Sequence, residues 1–127
     1  MENSLILDTN AILRYLLDDD HDSYIKVTEA VQSDKCYLIL PVVQEAVFVL
    51  EGYYHVPRQQ IRYSFIRMKD AVIIPDEDIY LKVFDYYCEA PKLDFVDCLM
   101  CAYHSVLGID IFTFDKNLQK KILKIKE

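Results

Sequence analysis

The sequence is poor in glycine, with 2 in 127 residues, while 53% of it is hydrophobic. That balance excludes a disordered or low-complexity chain, which cannot bury enough apolar surface to offset its conformational entropy. Long apolar runs are missing too. No stretch approaches the roughly 18 residues of a membrane span, and the N-terminus lacks a basic-then-apolar targeting pattern. The expectation is a soluble, cytoplasmic protein with no membrane association. Positive charge is scarce: 14 Lys and Arg stand against 21 Asp and Glu, a net charge of −7. This argues against broad, sequence-blind binding to nucleic acid through a basic surface. Of the four cysteines (Cys36, Cys88, Cys98 and Cys101), only the last two form a C-x-x-C, and no second pair completes a four-ligand zinc site. They read as small buried hydrophobes.

What is present is an alternation of strand-like and helix-like segments. Leu5-Ile6-Leu7 runs into Asp8, and residues 4–8 are expected to form a buried strand. A helix follows in AILRYLL, then an acidic turn at Asp18–Asp20, then a helix capped by Ser23 and running to about Ser33. CYLIL (36–40), AVII (71–74) and IDIFTF (109–114) read as further strands. Between them lie helices from Pro41 to about Tyr54, from Pro57 through PRQQIRYSFIRMK, over DEDIYLKVFDYYCEA, and over LDFVDCLMCAYHSVLG. The last has an apolar stripe of Val96, Leu99, Met100, Tyr103, Val106 and Leu107, with Gly108 as its stop. The Lys-rich tail is expected to give one helical turn and a short strand. No linker or repeat stands out, so residues 1–127 read as one domain. Apolar strands separated by helices imply an α/β fold: a three-layer α/β/α sandwich around a short central parallel sheet.

Ligands of such sheets bind beyond the carboxyl ends of the strands. Asp8 ends the first expected strand and Asp115 follows the fourth. Glu45 in PVVQEAVFVL and Asp97 in LDFVDCLMCAY are acids among apolar neighbours. All four stand in contexts expected to bury them, and a buried acid neutralises or finds a cation. Two carboxylates about 4 Å apart repel by roughly 4 kcal/mol at an effective dielectric near 20. A divalent ion resolves that repulsion. All-oxygen ligands select Mg²⁺ or Mn²⁺, which stabilise charge on a phosphodiester and acidify the attacking water. Each acid also has an ordinary reading: Asp8 as a helix N-cap, Glu45 as an edge residue reaching water, Asp97 as a first-turn acid, Asp115 as a turn residue.

The stretches LILDTNAILRYLL, PVVQEAVFVLE, LDFVDCLMCAYHSVLG and IFTFDKNL, in that order, resemble the PIN-domain nucleases, most closely the VapC-type toxins of toxin–antitoxin pairs. The resemblance implies metal-ligand and catalytic roles for Asp8, Glu45, Asp97 and Asp115. It implies supporting hydrogen-bond roles for Thr9, Asn10 and Thr113, and it favours Asp97 over Asp94 as the third acid. Asp94 is placed where an N-cap belongs, with Asp97 as its capping-box partner. The implied activity is Mg²⁺- or Mn²⁺-dependent endonucleolytic cleavage of single-stranded RNA. The implied partners are the RNA, a small antitoxin and a second copy of the chain.

Nine of the 14 basic residues lie in two stretches, Arg58–Lys69 and Lys116–Lys126. Lys116, Lys120, Lys121 and Arg14 are the candidate RNA-binding residues. Tyr53, Tyr54, Tyr86 and Tyr87 are candidates for a partner surface, which favours aromatics. A rival reading from another class keeps the fold without catalysis, as a module that holds RNA or a protein. Phosphoryl transfer on Asp8 fits less well, because Asp8-Thr9-Asn10 lacks the D-x-D of haloacid-type phosphatases. His21, His55 and His104 share no motif for histidine-based RNA cleavage.

Overall fold

The computed structural model describes residues 3–126. These form two compact units, one ending at Asp76 and the other beginning at Glu77.

The first unit contains the sheet. β1 (Ser4–Ile6) pairs in parallel with β2 (Lys35–Tyr37), placing Leu5 opposite Cys36 and Ile6 opposite Tyr37. The crossover between them is α1 (Thr9–Leu17) and α2 (His21–Ser33). α2 is capped by Asp20 rather than Ser23: the Asp20 carboxylate accepts the Ser23 N–H and also takes the Ser23 hydroxyl. Two cap-forming residues stood three apart, and the carboxylate, which alone carries charge into the helix dipole, took the role. α3 (Leu40–Gly52) has Pro41 in its first turn, and α4 (Arg58–Met68) follows Pro57. The expected third strand is reduced to a single parallel bridge, Tyr37 with Ile73, held by Ile73 N–H to Cys36 O at 2.8 Å and Leu38 N–H to Ile73 O at 2.9 Å. The core is Ile12, Leu38, Val43, Val47, Ile61 and Phe65. β1 departs from expectation because it lies at a sheet edge: Leu5 and Ile6 are exposed, and the chain is buried only from Leu7.

The second unit is helical. α5 (Glu77–Glu89) packs on α6 (Phe95–Leu107), and α6 packs on α7 (Lys116–Lys126). Large side chains of α5, namely Tyr80, Val83, Phe84 and Tyr87, are fully buried, and Phe84 and Tyr87 each pack against the ring of Phe95. The buried face of α6 is Phe95, Cys98, Cys101, Ala102 and His104. The expected stripe is therefore on the wrong side: Val96, Tyr103, Val106 and Leu107 are exposed. α6 is apolar on most of its circumference, so periodicity could not choose its inner face. The buried face begins at Phe95, where the rings of Phe84 and Tyr87 dock, and continues through the small side chains of Cys98, Cys101 and Ala102. Burial pushes the Cys36 and Cys101 thiols above their ordinary values, the setting of an unreactive thiol. Tyr86 and Tyr87 are buried in the core and not on a partner surface, whereas Tyr53 and Tyr54 are exposed.

Residues 109–114 form no strand among the described residues. α6 stops at Gly108, whose φ of 72° ends the helix in a left-handed turn. The segment then runs without a ladder partner, and its carbonyls take side-chain donors instead. His104 donates through Nδ1 to Ile109 O at 2.7 Å, and Gln119 Nε2 donates to Thr113 O at 2.9 Å. Phe112 and Phe114 are exposed. The Lys-rich tail is one continuous helix, because Leu118 and Ile122, four residues apart, bury one face and leave the lysines on the other.

Candidate active site

Three of the candidate acids begin helices. Asp8 precedes α1, Asp94 precedes α6, and Asp115 precedes α7. Each turns one carboxylate oxygen onto the backbone N–H three residues ahead, at 2.8 Å in all three cases: Ala11, Asp97 and Leu118. The first turn of a helix leaves N–H groups without partners and carries the positive end of the dipole, so a carboxylate is stabilised there. This accounts for an acid directly after the apolar run Leu5–Leu7. Asp8 does not suffer the desolvation expected of it, since it is exposed and caps α1. Glu45 and Asp115 are exposed as well. Glu45 lies on α3 opposite the buried face of Val43, Ala46, Val47 and Leu50, and so meets solvent. Of the four acids expected to be buried, only Asp97 is even half-buried.

Asp94 and Asp97 form the reciprocal capping box read from the sequence. Asp97 N–H donates to Asp94 Oδ1, and Asp94 N–H donates to Asp97 Oδ2 at 3.3 Å. Asp97 is the electrostatically stressed member. Burial pushes its carboxyl above the ordinary carboxylate value, the Asp94 charge raises it further, and Asp115 adds to the same effect. Asp94 and Asp115 therefore both act on Asp97 within the second unit.

Thr113 supports this group. Its hydroxyl accepts the Asp115 N–H at 3.0 Å and so fixes the backbone that aims the Asp115 carboxylate at α7. Thr9 and Asn10 are the first two residues of α1, and neither side chain bonds to Asp8 among the described residues. Among the described residues of the first unit, no hydrogen bond joins Asp8 to Glu45. Arg14, a candidate for binding RNA, is held by Asp19 at 2.6 Å. That pairing raises the Arg14 guanidinium and lowers the Asp19 carboxyl. Lys121 is likewise paired, with Glu89 at 3.1 Å, while Lys116 and Lys120 are exposed.

The donor chemistry around Asp97 suits a hard divalent cation: carboxylate oxygens only, with mutual repulsion that a cation would relieve. Among the described residues, no three His, Cys, Asp or Glu side chains are gathered closely enough to hold a metal ion together. No described helix is long and apolar enough to cross a membrane.

The model of the PIN domain family matches residues 5–122. The chain belongs to the PIN domain family. PIN domains are generally metal-dependent nucleases. The match spans both units of the PIN domain and includes Asp8, Glu45, Asp94, Asp97, Thr113 and Asp115. No curated protein and no solved structure matches it.

Proposed function

We propose that this PIN domain, as one functional domain, is a Mg²⁺- or Mn²⁺-dependent endoribonuclease that cleaves single-stranded RNA, and that it is the toxin of a toxin–antitoxin pair. The observation that carries the reading is the PIN domain match over residues 5–122, which takes in Asp97, a half-buried acid whose carboxyl is raised by burial and by the Asp94 and Asp115 charges. Asp8, Glu45, Asp97 and Asp115 would hold the metal. When bound, it supplies a Lewis acid for the phosphodiester and a more acidic water.

The chain's own residues prepare that chemistry. Asp94 holds the start of α6 through the Asp97 amide and so fixes the carboxylate of Asp97. Thr113 does the same for Asp115. The cap bonds of Asp8 and Asp115 each engage Oδ1, which keeps their rotamers fixed. The toxin assignment rests on the VapC-like motifs. An antitoxin and a second copy of the chain are the partners it implies, and the exposed Tyr53–Tyr54 ring pair is suited to such a contact.

A binding module that holds RNA or a protein without cleaving is the alternative. Its support is that no three acidic side chains are gathered among the described residues. The deciding experiment incubates single-stranded RNA with the protein and Mn²⁺, with and without EDTA, beside Asp97→Asn. Cleavage that EDTA and Asp97→Asn both abolish supports the nuclease. RNA binding without cleavage in Mn²⁺ selects the module.

A further inference from the structure

A cleft of about 300 Å³ opens in the second unit between the α5–α6 turn and the polar face of α7. Its walls carry Lys92 from the turn and Asn117, Lys120, Lys121 and Lys124 from α7, with Glu89 as the only acid. The α7 residues are spaced i, i+3, i+4 and i+7, so they share one face, while Leu118 and Ile122 anchor another. Four lysines on one cleft contrast with a chain whose net charge is −7.

The lysines are not equivalent. Lys121 Nζ lies 3.1 Å from Glu89 Oε2 and 5.0 Å from the centre of the Tyr86 ring, with its side chain 16% exposed. Its charge is already matched. Lys92, Lys120 and Lys124 are exposed and make no ion pair among the described residues. Three unpaired ammonium groups therefore face one cleft.

We propose that Lys92, Lys120 and Lys124 cradle consecutive phosphates of a single RNA strand, with Lys121 built into the cleft wall and not bound to the strand. The inference rests on the RNA-cleaving reading and specifies where that substrate lies. Lysine is a compact point charge with three rotatable donors, able to meet phosphate oxygens without a fixed geometry. α7 also sets a direction. Its N-terminus is capped by Asp115, and at a rise of 1.5 Å per residue Lys120 and Lys124 follow at about 7.5 and 13.5 Å along the axis. A strand running along α7 would thus be held by lysines at one end and delivered to the acids at the other. Pro91 in the same wall is exposed and offers apolar surface to sugars and bases.

The test is RNA binding by fluorescence anisotropy, using a labelled single-stranded oligoribonucleotide in EDTA, so that no cleavage is needed. K92A/K120A/K124A is compared with Lys121→Ala and with Lys26→Ala, an exposed lysine on α2. All are checked by circular dichroism, and the triple Gln variant replaces the triple Ala variant if the latter unfolds. Loss of three phosphate contacts on a single strand should flatten the slope of log K against log salt by about 2 and weaken binding about tenfold or more at low salt. Lys121→Ala and Lys26→Ala should leave the slope unchanged. An unchanged slope in the triple variant, or a slope that falls only with Lys121→Ala, overturns the assignment. Inorganic phosphate that displaces RNA at equal phosphate concentration would make the cleft a free-anion site, and poly-glutamate that displaces it better than competitor RNA would make it an acidic-protein site. Either result overturns the strand model. Failure of the nuclease reading is separate: it is intact RNA binding with no Mn²⁺-dependent cleavage.

Discussion

α3 and α6 look alike in sequence and behave differently in the fold. Each is a 13-residue helix that carries a candidate acid among apolar neighbours, Glu45 in one and Asp97 in the other. In α3 the buried residues Val43, Ala46, Val47 and Leu50 make a single stripe, and at about 100° per residue Glu45 lies across the helix from it. In α6 Asp97 is one turn before Cys101 and two before His104, both buried, so its carboxylate sits on the flank of the core. Asp115 and the cap acid Asp94 reach it there. The lesson is that an acid among apolar neighbours is not thereby buried. Its phase relative to the face that docks decides: Glu45 is exposed, while Asp97, at the border of that face, is half-buried and its carboxyl is raised.

The sharpest way to break this contrast is through activity. Asp97→Asn should lower Mn²⁺-dependent RNA cleavage by about 100-fold or more, beyond what loss of an outer-shell partner causes. Asp94→Asn should keep most activity, since Asn caps a helix nearly as well as Asp. Both are assayed on one RNA after a circular dichroism check. An inactive, folded Asp94→Asn beside an active Asp97→Asn would reverse the roles.

The faces of α6 can be tested next. Ala102→Leu overfills the buried face of α6 and should lower stability by about 1–3 kcal/mol. Val106→Ala, on the exposed side, should stay within about 0.5 kcal/mol. Urea midpoints measure both, and equal losses would mean that the sequence-read stripe is buried after all.

The caps come third. Asp8→Ala should cost about 1 kcal/mol of stability through loss of the bond to the Ala11 amide, and Asp8→Asn much less. If Asp8→Ala leaves the melting temperature in metal-free buffer unchanged, the cap contributes nothing.

The smallest effect is in pH dependence. A carboxyl raised in the folded state favours the protonated form. Its contribution to stability is complete below the unfolded value near 3.8 and is lost as pH rises through the higher folded value. Asp97→Asn does not ionise. In metal-free buffer it should therefore melt about 1–2 °C above wild type at pH 7, a modest gain because the site is partly solvated. The difference should close below pH 3.8. A gap between Asp97→Asn and wild type that stays the same from pH 7 to pH 3 would mean that the Asp97 carboxyl is not raised in the folded chain.

Much of this was legible beforehand. The helices at Pro41, Pro57, Glu77 and Phe95 were readable from local signals, as was the Gly108 stop. So was the Asp94–Asp97 capping box, which depends on residues three apart. The failures share a cause. The 109–114 strand needed a partner from far along the chain, and apolar alternation does not state whether one is available. The tail was read as one turn because its lysines masked Leu118 and Ile122. Lys92 and Lys124 were overlooked as cleft residues, although the spacing of Asn117, Lys120, Lys121 and Lys124 carried the signal.

The sequence by itself determined the family, the order of the helices and the acids that begin three of them, because caps and turns are written in residues a few positions apart. Tertiary structure alone decided which acid is perturbed, which face of α6 is inside and which lysines are spoken for. Each of those depends on how close a neighbour distant in sequence comes, since burial and Coulomb interaction both act through space.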